Sequence, residues 1–147
     1  MQSVRIIIAC LMVFFSVDAY SWVPNNLDEW NNLGYGERRE KLRQEFASYA
    51  KYYVAAKGYR FGRGADNEFE GRFAIQAADA ILDIHPQHIE GAKSEIRKSF
   101  RRLIDKMIEV AEKDKEYSRK HPWVVGEETL SEALSFFCPP PLWPICR

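Results

Sequence analysis

The sequence predicts an all-α protein, a small bundle of about four to five helices arranged around one long central helix. Apolar residues recur every three or four positions over long stretches, which is the spacing of one helix face. No strand-like alternation, internal repeat or low-complexity tract interrupts them. Hydrophobic residues make up 46% of the chain and aromatic residues 14%, enough for a real core.

The central helix is expected over residues 89–120, which contain no proline. Its apolar stripe consists of Ile96, Phe100, Leu103, Met107 and Val110. At 1.5 Å per residue such a helix is about 45 Å long, close to the width of a small domain. The same periodicity predicts further helices over residues 27–33, 37–57, 69–84 and 128–137. Trp22 and Trp30 are expected to seal one end of the core, and an exposed aromatic contact surface is the alternative.

The first residues have the pattern of an export signal. Arg5 precedes an apolar run over residues 6–17, and small residues suited to cleavage follow it. The run is short for a membrane span, and a lipoprotein signal at Cys10 fits less well because so little precedes it. We therefore expect a cleaved signal peptide over 1–21, a single helical domain over 22–147, no stable membrane anchor after cleavage, and a periplasmic or secreted location.

Export changes how the cysteines are interpreted. Cys10 leaves with the signal, and Cys138 and Cys146 remain, separated by a proline-rich segment. In an oxidising compartment two close cysteines favour one disulfide, which predicts a disulfide-closed loop at the C-terminal end. Two free thiols are the alternative.

The balance of charges and the lack of catalytic motifs narrow the classes of function to be expected. The 21 basic and 21 acidic residues balance, so bulk charge gives no reason to expect binding to nucleic acid or to an anionic membrane. No nucleophile motif, zinc-protease motif or obvious pair of converging carboxylates is present, and we expect no enzyme activity and no cofactor. His85 and His88 lie close in sequence, but no third histidine or cysteine is near, so a solvated joint is favoured over a metal site.

Two connecting segments are candidates for contact with a protein partner. In residues 59–67, Gly62 and Gly64 bracket an arginine, but the segment lacks the features of a phosphate loop, and its calcium-loop spacing fails. Arg60, Phe61 and Arg63 are its candidate contacts, because arginine and aromatic residues are enriched at interfaces. The second segment, residues 121–126, offers Trp123 at a turn. Either segment could equally be a plain connection.

Three stretches together resemble the Rap/Tai immunity proteins of type VI secretion. They are the small-residue helix over 73–81, the Lys-His-Pro turn over 120–122, and the last helix over 130–138 that ends in a cysteine. The resemblance implies a periplasmic, all-helical immunity protein, often a homodimer, that neutralises a peptidoglycan-cleaving amidase. The family tends to carry a further cysteine upstream. None lies between Ser21 and Phe137 here, so Cys138 would have to pair with Cys146.

The leading hypothesis is therefore an exported binding protein that blocks such an amidase by steric occlusion. Two alternatives belong to other classes: a small exported hydrolase with an unrecognised carboxylate site, and a periplasmic chaperone or assembly factor with an apolar groove.

Overall fold

The computed structural model describes residues 27–136. The described chain is almost entirely helical, which confirms the all-α prediction. The predicted signal peptide over 1–21, Trp22 and the predicted pair Cys138 and Cys146 lie outside the described residues. No helix in residues 27–136 is both long enough and apolar enough to cross a membrane.

The described elements follow one another along the chain in a simple order. They are α1 (Leu27–Asn32), α2 (Tyr35–Ala56), β1 (Arg60–Phe61), α3 (Arg63–Glu68), a π-helical turn (Phe69–Phe73), α4 (Ala74–Leu82), a 3-10 turn (Pro86–His88), α5 (Ile89–Lys113), α6 (Lys115–Lys120), β2 (Val124–Val125) and α7 (Glu127–Phe136). Helix α2 packs against α4 and α5, and α7 packs on α5.

The longest described helix is α5, and its predicted apolar stripe is buried. Aromatic rings from three elements meet there. Phe100 contacts Phe46 of α2 and Phe69 of the π-helical turn edge to face, at ring-centre distances of 6.0 and 5.7 Å. Trp30 closes one end of the core, almost fully buried, as the sequence predicted, with the Arg38 guanidinium 4.9 Å from its ring centre.

The prediction of one continuous helix over residues 89–120 was wrong, because the helix breaks at Asp114. The backbone there is extended (φ −83°, ψ 95°), and the carboxylate accepts hydrogen bonds from the backbone amides of Glu116 and Tyr117. An aspartate is favoured at the residue before a helix, where its side chain accepts hydrogen bonds from the first backbone amides, and it is less favourable inside a helix. Helix α6 therefore leaves in a new direction.

The predictions of a loop over residues 59–67 and of a helix over residues 69–84 were also only partly right. The helical conformation begins at Arg63, with Gly62 as the extended residue before it, and continues through the π-helical turn into α4. Gly62 and Gly64 made residues 59–67 read as a loop, whereas tertiary packing keeps residues 63–68 helical. A π-helical turn is a feature that apolar periodicity does not reveal.

A third departure from the predictions is a pair of short strands, which no alternating pattern in the sequence predicted. Residues of β1 and β2 form a short parallel pair, with Arg60 opposite Val124 and Phe61 opposite Val125. Strands of two residues have no stability of their own, and this pair is held by the helices around it.

One cluster of charges lies inside the bundle, between α2 and α5. Lys93 is completely buried, and its ammonium group donates to both oxygens of Glu45, at 2.8 and 3.1 Å. Arg97 donates to the same carboxylate at 3.0 Å. Burial raises the pKa of Glu45, and the two neighbouring cations offset part of that effect. We call these three side chains the buried charge cluster.

Candidate partner-binding site

The structure brings the two candidate segments together. Residues 60–64 and 121–126 lie far apart in the sequence, but the β1–β2 pair joins them at one place on the surface. The Arg60 amide donates to the Trp123 carbonyl at 2.9 Å, and the Gly62 amide donates to the Val125 carbonyl at 2.7 Å. We call these two segments the β1–β2 corner. What the sequence offered as two separate candidates is one continuous surface.

Glycines make this close approach possible. A Cβ on Gly62 would lie only 3.1 Å from the Gly126 Cα, and one on Gly64 would lie 2.9 Å from the Glu127 Cβ. Larger residues would push the two segments apart. The glycines that bracket Arg63 therefore allow two segments of the same chain to pack closely.

Trp123 is the most unusual residue of the corner. Its φ is +60°, and among the described residues it alone, apart from glycine, has a positive φ. A bulky residue in the left-handed region costs about 1–3 kcal/mol relative to an ordinary backbone conformation. Its side chain is also 69% exposed, the largest exposed fraction among the described large hydrophobic residues. Strain and exposure at the same position call for an explanation outside the folded chain.

Arg60 and Arg63 are exposed on the first of the two segments of the corner. Within residues 27–136 neither side chain makes an ion pair, a hydrogen bond or a contact with an aromatic ring. Arg63 is moreover the first residue of α3, the helix end at which backbone amides disfavour a positive charge. Neither arginine has an evident role in holding the fold together.

Phe61 differs from the other three candidate residues. Its ring is half-buried and stacks on Phe69 with a ring-centre distance of 4.6 Å. Phe61 therefore belongs mainly to the edge of the core, and we assign it the role of fixing β1 in place. Alternation along a strand accounts for this, because neighbouring side chains point to opposite faces.

The base beneath the corner is rigidly connected. The Tyr59 hydroxyl donates to Glu112 of α5 at 2.8 Å, a contact that raises the pKa of Tyr59. On the other side His121 packs on the Tyr117 ring, with centres 4.6 Å apart. Thr129 donates to the Gly126 carbonyl at 2.8 Å and so ties the corner to the start of α7. The exposed residues thus stand on a pre-organised support.

Two other places in the described chain bring together groups that could carry chemistry. His85 and His88 lie with ring centres 6.2 Å apart, and in the described part of the chain no three His, Cys, Asp or Glu side chains converge as metal ligands would. An open pocket of about 350 Å³ on α5 is lined by Arg102, Asp105, Lys106 and Glu109.

Asp105 and Glu109 give this pocket two carboxylates, and their contacts argue against a hydrolase site there. The Tyr53 hydroxyl donates to Asp105 at 2.7 Å. Glu109 accepts from Lys113 and from Lys106, which lowers its pKa, Lys113 having the larger effect. A general acid needs a raised pKa, so Glu109 is poorly suited to that task.

We compared the chain with descriptions of known protein families, with characterised proteins and with solved structures, and none of the three comparisons gave a match. The functional argument therefore depends on the geometry of the chain itself.

What the corner can do follows from its composition. It offers one large exposed indole and two guanidinium groups on a support that does not need to rearrange. Indole and guanidinium groups contribute most strongly to protein–protein contacts, whereas nothing in the corner is a nucleophile next to a base. The arrangement suits binding.

Sequence reasoning named the exposed residues Arg60, Arg63 and Trp123 as candidates, did not single out His121 and Pro122, which are also exposed there, and missed how the corner is assembled. The glycines at 62, 64 and 126 were a usable signal, since several glycines near one another can indicate close approach of two backbones. The positive φ of Trp123 had no signal in the sequence, because tryptophan is not typical of that conformation.

Proposed function

We propose that this protein is an exported helical binding protein that inhibits a peptidoglycan-cleaving amidase, with the β1–β2 corner as its contact surface. The observation that carries the proposal is Trp123, which is strained, exposed and held beside two arginines that have no partner within the described chain. The resemblance to the Rap/Tai immunity proteins supplies the class of target.

Inhibition would be steric. A corner whose backbone is fixed by two inter-strand hydrogen bonds loses little conformational freedom on binding, so more of the contact energy is retained as affinity. The Trp123 indole would enter the mouth of the enzyme's cleft, and Arg60 and Arg63 would bind around it. The enzyme's substrate, a cross-linked peptide, would then be excluded from the cleft.

The test is an inhibition assay with purified mature protein and a panel of type VI amidase toxins acting on purified peptidoglycan. We expect one amidase of the panel to be inhibited at close to equal molar amounts. Trp123→Ala should weaken that inhibition by about 2 kcal/mol or more, as is usual for an aromatic residue at the centre of an interface.

Tyr52→Ala is the matched control. Tyr52 is a half-exposed aromatic residue on α2, outside the corner, and its removal should leave inhibition unchanged. A panel in which no amidase is bound or inhibited would contradict the proposed target. Release of peptidoglycan fragments by the protein alone would contradict it in favour of the hydrolase alternative.

Export and the C-terminal disulfide belong to the same proposal. We expect the secreted chain to begin near residue 22 and to carry a Cys138–Cys146 bond. Mass spectrometry of denatured protein, alkylated without reductant, should show no added alkyl groups. Two added groups would refute the disulfide, and an N-terminal sequence that still includes the apolar run would refute cleavage.

A further inference from the structure

The cationic side chains of the described chain fall into two groups. Most are paired with a carboxylate, as Arg39 is with Asp79 at 2.7 Å, or contact an aromatic ring or hydroxyl. Those in residues 27–136 that have none of these contacts are Arg60, Arg63, Arg102, Lys115 and Arg119. Of these five residues, Arg102 alone is distant in sequence both from the corner and from α6, the helix that precedes its second segment.

The unpaired cations are concentrated near Trp123. Arg60 and Arg63 lie in the corner itself, and Lys115 and Arg119 occupy α6, which leads directly into it. Lys115 and Arg119 are four residues apart and so share one side of that helix. Tyr117, which lies half a turn away, packs towards Gly126, so this shared side faces outward. The Glu127 side chain lies against Gly64 and forms no ion pair with Arg63.

We infer that the corner recognises an acidic segment of its protein partner, in which carboxylates flank an apolar or aromatic residue. The inference rests on the proposed function, since it specifies the chemistry of the surface that the corner would bind. Arg60 and Arg63 would receive the carboxylates, and the apolar residue would lie on the Trp123 indole. Guanidinium groups bind carboxylates through two parallel hydrogen bonds, which gives such a contact orientation as well as attraction.

Charge complementarity favours an acidic segment of a partner over a purely apolar segment. The unpaired guanidinium groups of Arg60 and Arg63 attract acidic partners and speed their association, and they stand next to an exposed indole. A purely apolar partner would gain nothing from Arg60 or Arg63 and would have to displace water from both.

The experiment uses the full mature chain and a synthetic peptide as the probe. The peptide is a short run of glutamates around one central phenylalanine, and its control has lysines in place of the glutamates. Binding is followed by NMR through the Trp123 indole N–H and the Arg60 and Arg63 Nε–H signals. We expect saturable shifts with the glutamate peptide alone, weakened when salt rises from about 0.1 M to about 1 M and the screening length falls from about 10 Å to about 3 Å.

Charge reversal identifies the residues. Arg60→Glu together with Arg63→Glu should weaken peptide binding roughly tenfold, because attraction becomes repulsion. Arg102→Glu reverses an equally unpaired cation on α5, and we expect less than about a twofold change. Equal weakening by both variants, or equal binding of the lysine peptide, would overturn the inference.

This experiment needs no amidase, so its outcome is separate from that of the inhibition assay. A panel without any inhibited amidase would leave the acidic preference standing. A corner that blocks an amidase but shows no shift with the glutamate peptide would overturn the acidic preference and leave the proposed function intact.

Discussion

The buried charge cluster and the β1–β2 corner treat charged side chains in opposite ways. In the cluster Glu45 and Lys93 are removed from water, Arg97 is partly buried, and both cations donate to the Glu45 carboxylate at about 3 Å. In the corner Arg60 and Arg63 are in water and have no partner within the described chain. The aromatic residues follow the same division, since Phe46 is fully buried and Trp123 is exposed.

The difference indicates that the cluster contributes to folding, whereas the corner is suited to the contact with a partner that we propose. A buried ion pair whose hydrogen bonds are complete fixes the register of α2 on α5, although it adds little net stability over apolar packing. An exposed, strained tryptophan beside unpaired arginines fixes nothing inside the protein. Variants at the two places should therefore affect different measurements, stability for the cluster and binding for the corner.

The largest expected effect is at Glu45. Glu45→Ala removes the carboxylate that accepts hydrogen bonds from the completely buried Lys93 ammonium group, while Glu90 stays 3.6 Å from that group. Removing one member of a buried pair costs about 3–5 kcal/mol in the free energy of unfolding. Denaturant unfolding measures it.

The control is the double variant Glu45→Leu with Lys93→Met, which removes both charges and keeps the volume. We expect it to recover most of the lost stability, since apolar replacement of a buried pair is often neutral. If the single variant is as stable as the wild-type protein, the cluster does not hold α2 on α5.

A smaller effect is expected where the corner is packed. In Gly64→Ala the new methyl group would lie 2.7 Å from an oxygen of Glu127 and 2.9 Å from its Cβ, so α7 or α3 must shift. We expect a loss of about 1–3 kcal/mol in the free energy of unfolding. Combining it with Glu127→Ala should restore part of the loss.

Gly91→Ala provides the opposite control. Gly91 is inside α5, and no atom outside the helix backbone lies within 4 Å of where its Cβ would be. Alanine there should stabilise the protein by about 0.5–1 kcal/mol through helix propensity. Equal behaviour of the two variants would mean that the segments of the corner are not closely packed.

Trp123 should matter little for stability and much for binding. Trp123→Gly removes left-handed strain of about 1–2 kcal/mol but adds about 0.5–1 kcal/mol of unfolded-state entropy. We expect a net change within about 1 kcal/mol, with Trp123→Gly more stable than Trp123→Ala. Thermal unfolding of the two variants checks this. A large loss of stability in both would assign Trp123 a structural role.

The smallest effect concerns pH, and its sign differs between buried and exposed carboxylates. The hydrogen bond from Arg43 above all lowers the pKa of the exposed Glu40 to about 2, from an ordinary value of 4.5. Its contribution to stability is therefore present above pH 4.5 and is lost as the pH falls towards 2. Burial instead raises the pKa of Glu45, so its contribution is largest at low pH and falls as the pH rises above 4.5.

Carbon NMR of the side-chain carboxyl groups tests both directions in one titration. We expect a midpoint near 2 for Glu40 and one above 4.5 for Glu45. Glu45→Gln should remove the fall in stability that Glu45 causes above pH 4.5. A Glu45 midpoint below 4.5 would mean that Lys93 and Arg97 outweigh burial.

Most of the fold could be predicted from periodicity alone. The apolar stripe of α5 and the faces of α2 and α4 follow from the spacing of residues such as Phe46, Ala77 and Phe100, because burial selects apolar residues at helical intervals. The buried charge cluster could not be predicted. Glu45 and Lys93 read as ordinary exposed residues of their helices, and only the packing of α2 on α5 buries them.

The candidate residues of the corner could be named from the sequence, whereas their assembly into one corner could not. Arg60, Arg63 and Trp123 stood out as residue types favoured at interfaces. Their meeting depends on the break at Asp114, where a local cap overrides a strong helical pattern. Whether the helix continues or breaks at Asp114 is decided by small differences in free energy, so apolar periodicity alone did not indicate the break.

The β1–β2 pair also links binding to the course of folding. Its two strands are separated by α3, α4, α5 and α6, so the pair closes a long loop and contributes contacts of high sequence separation. Such contacts form slowly, because the entropy of loop closure is lost before the contact is made. A nascent or partly folded chain would therefore lack the joined surface even when most of its helices are present. For a chain that crosses a membrane unfolded, recognition would begin only after folding on the far side is complete.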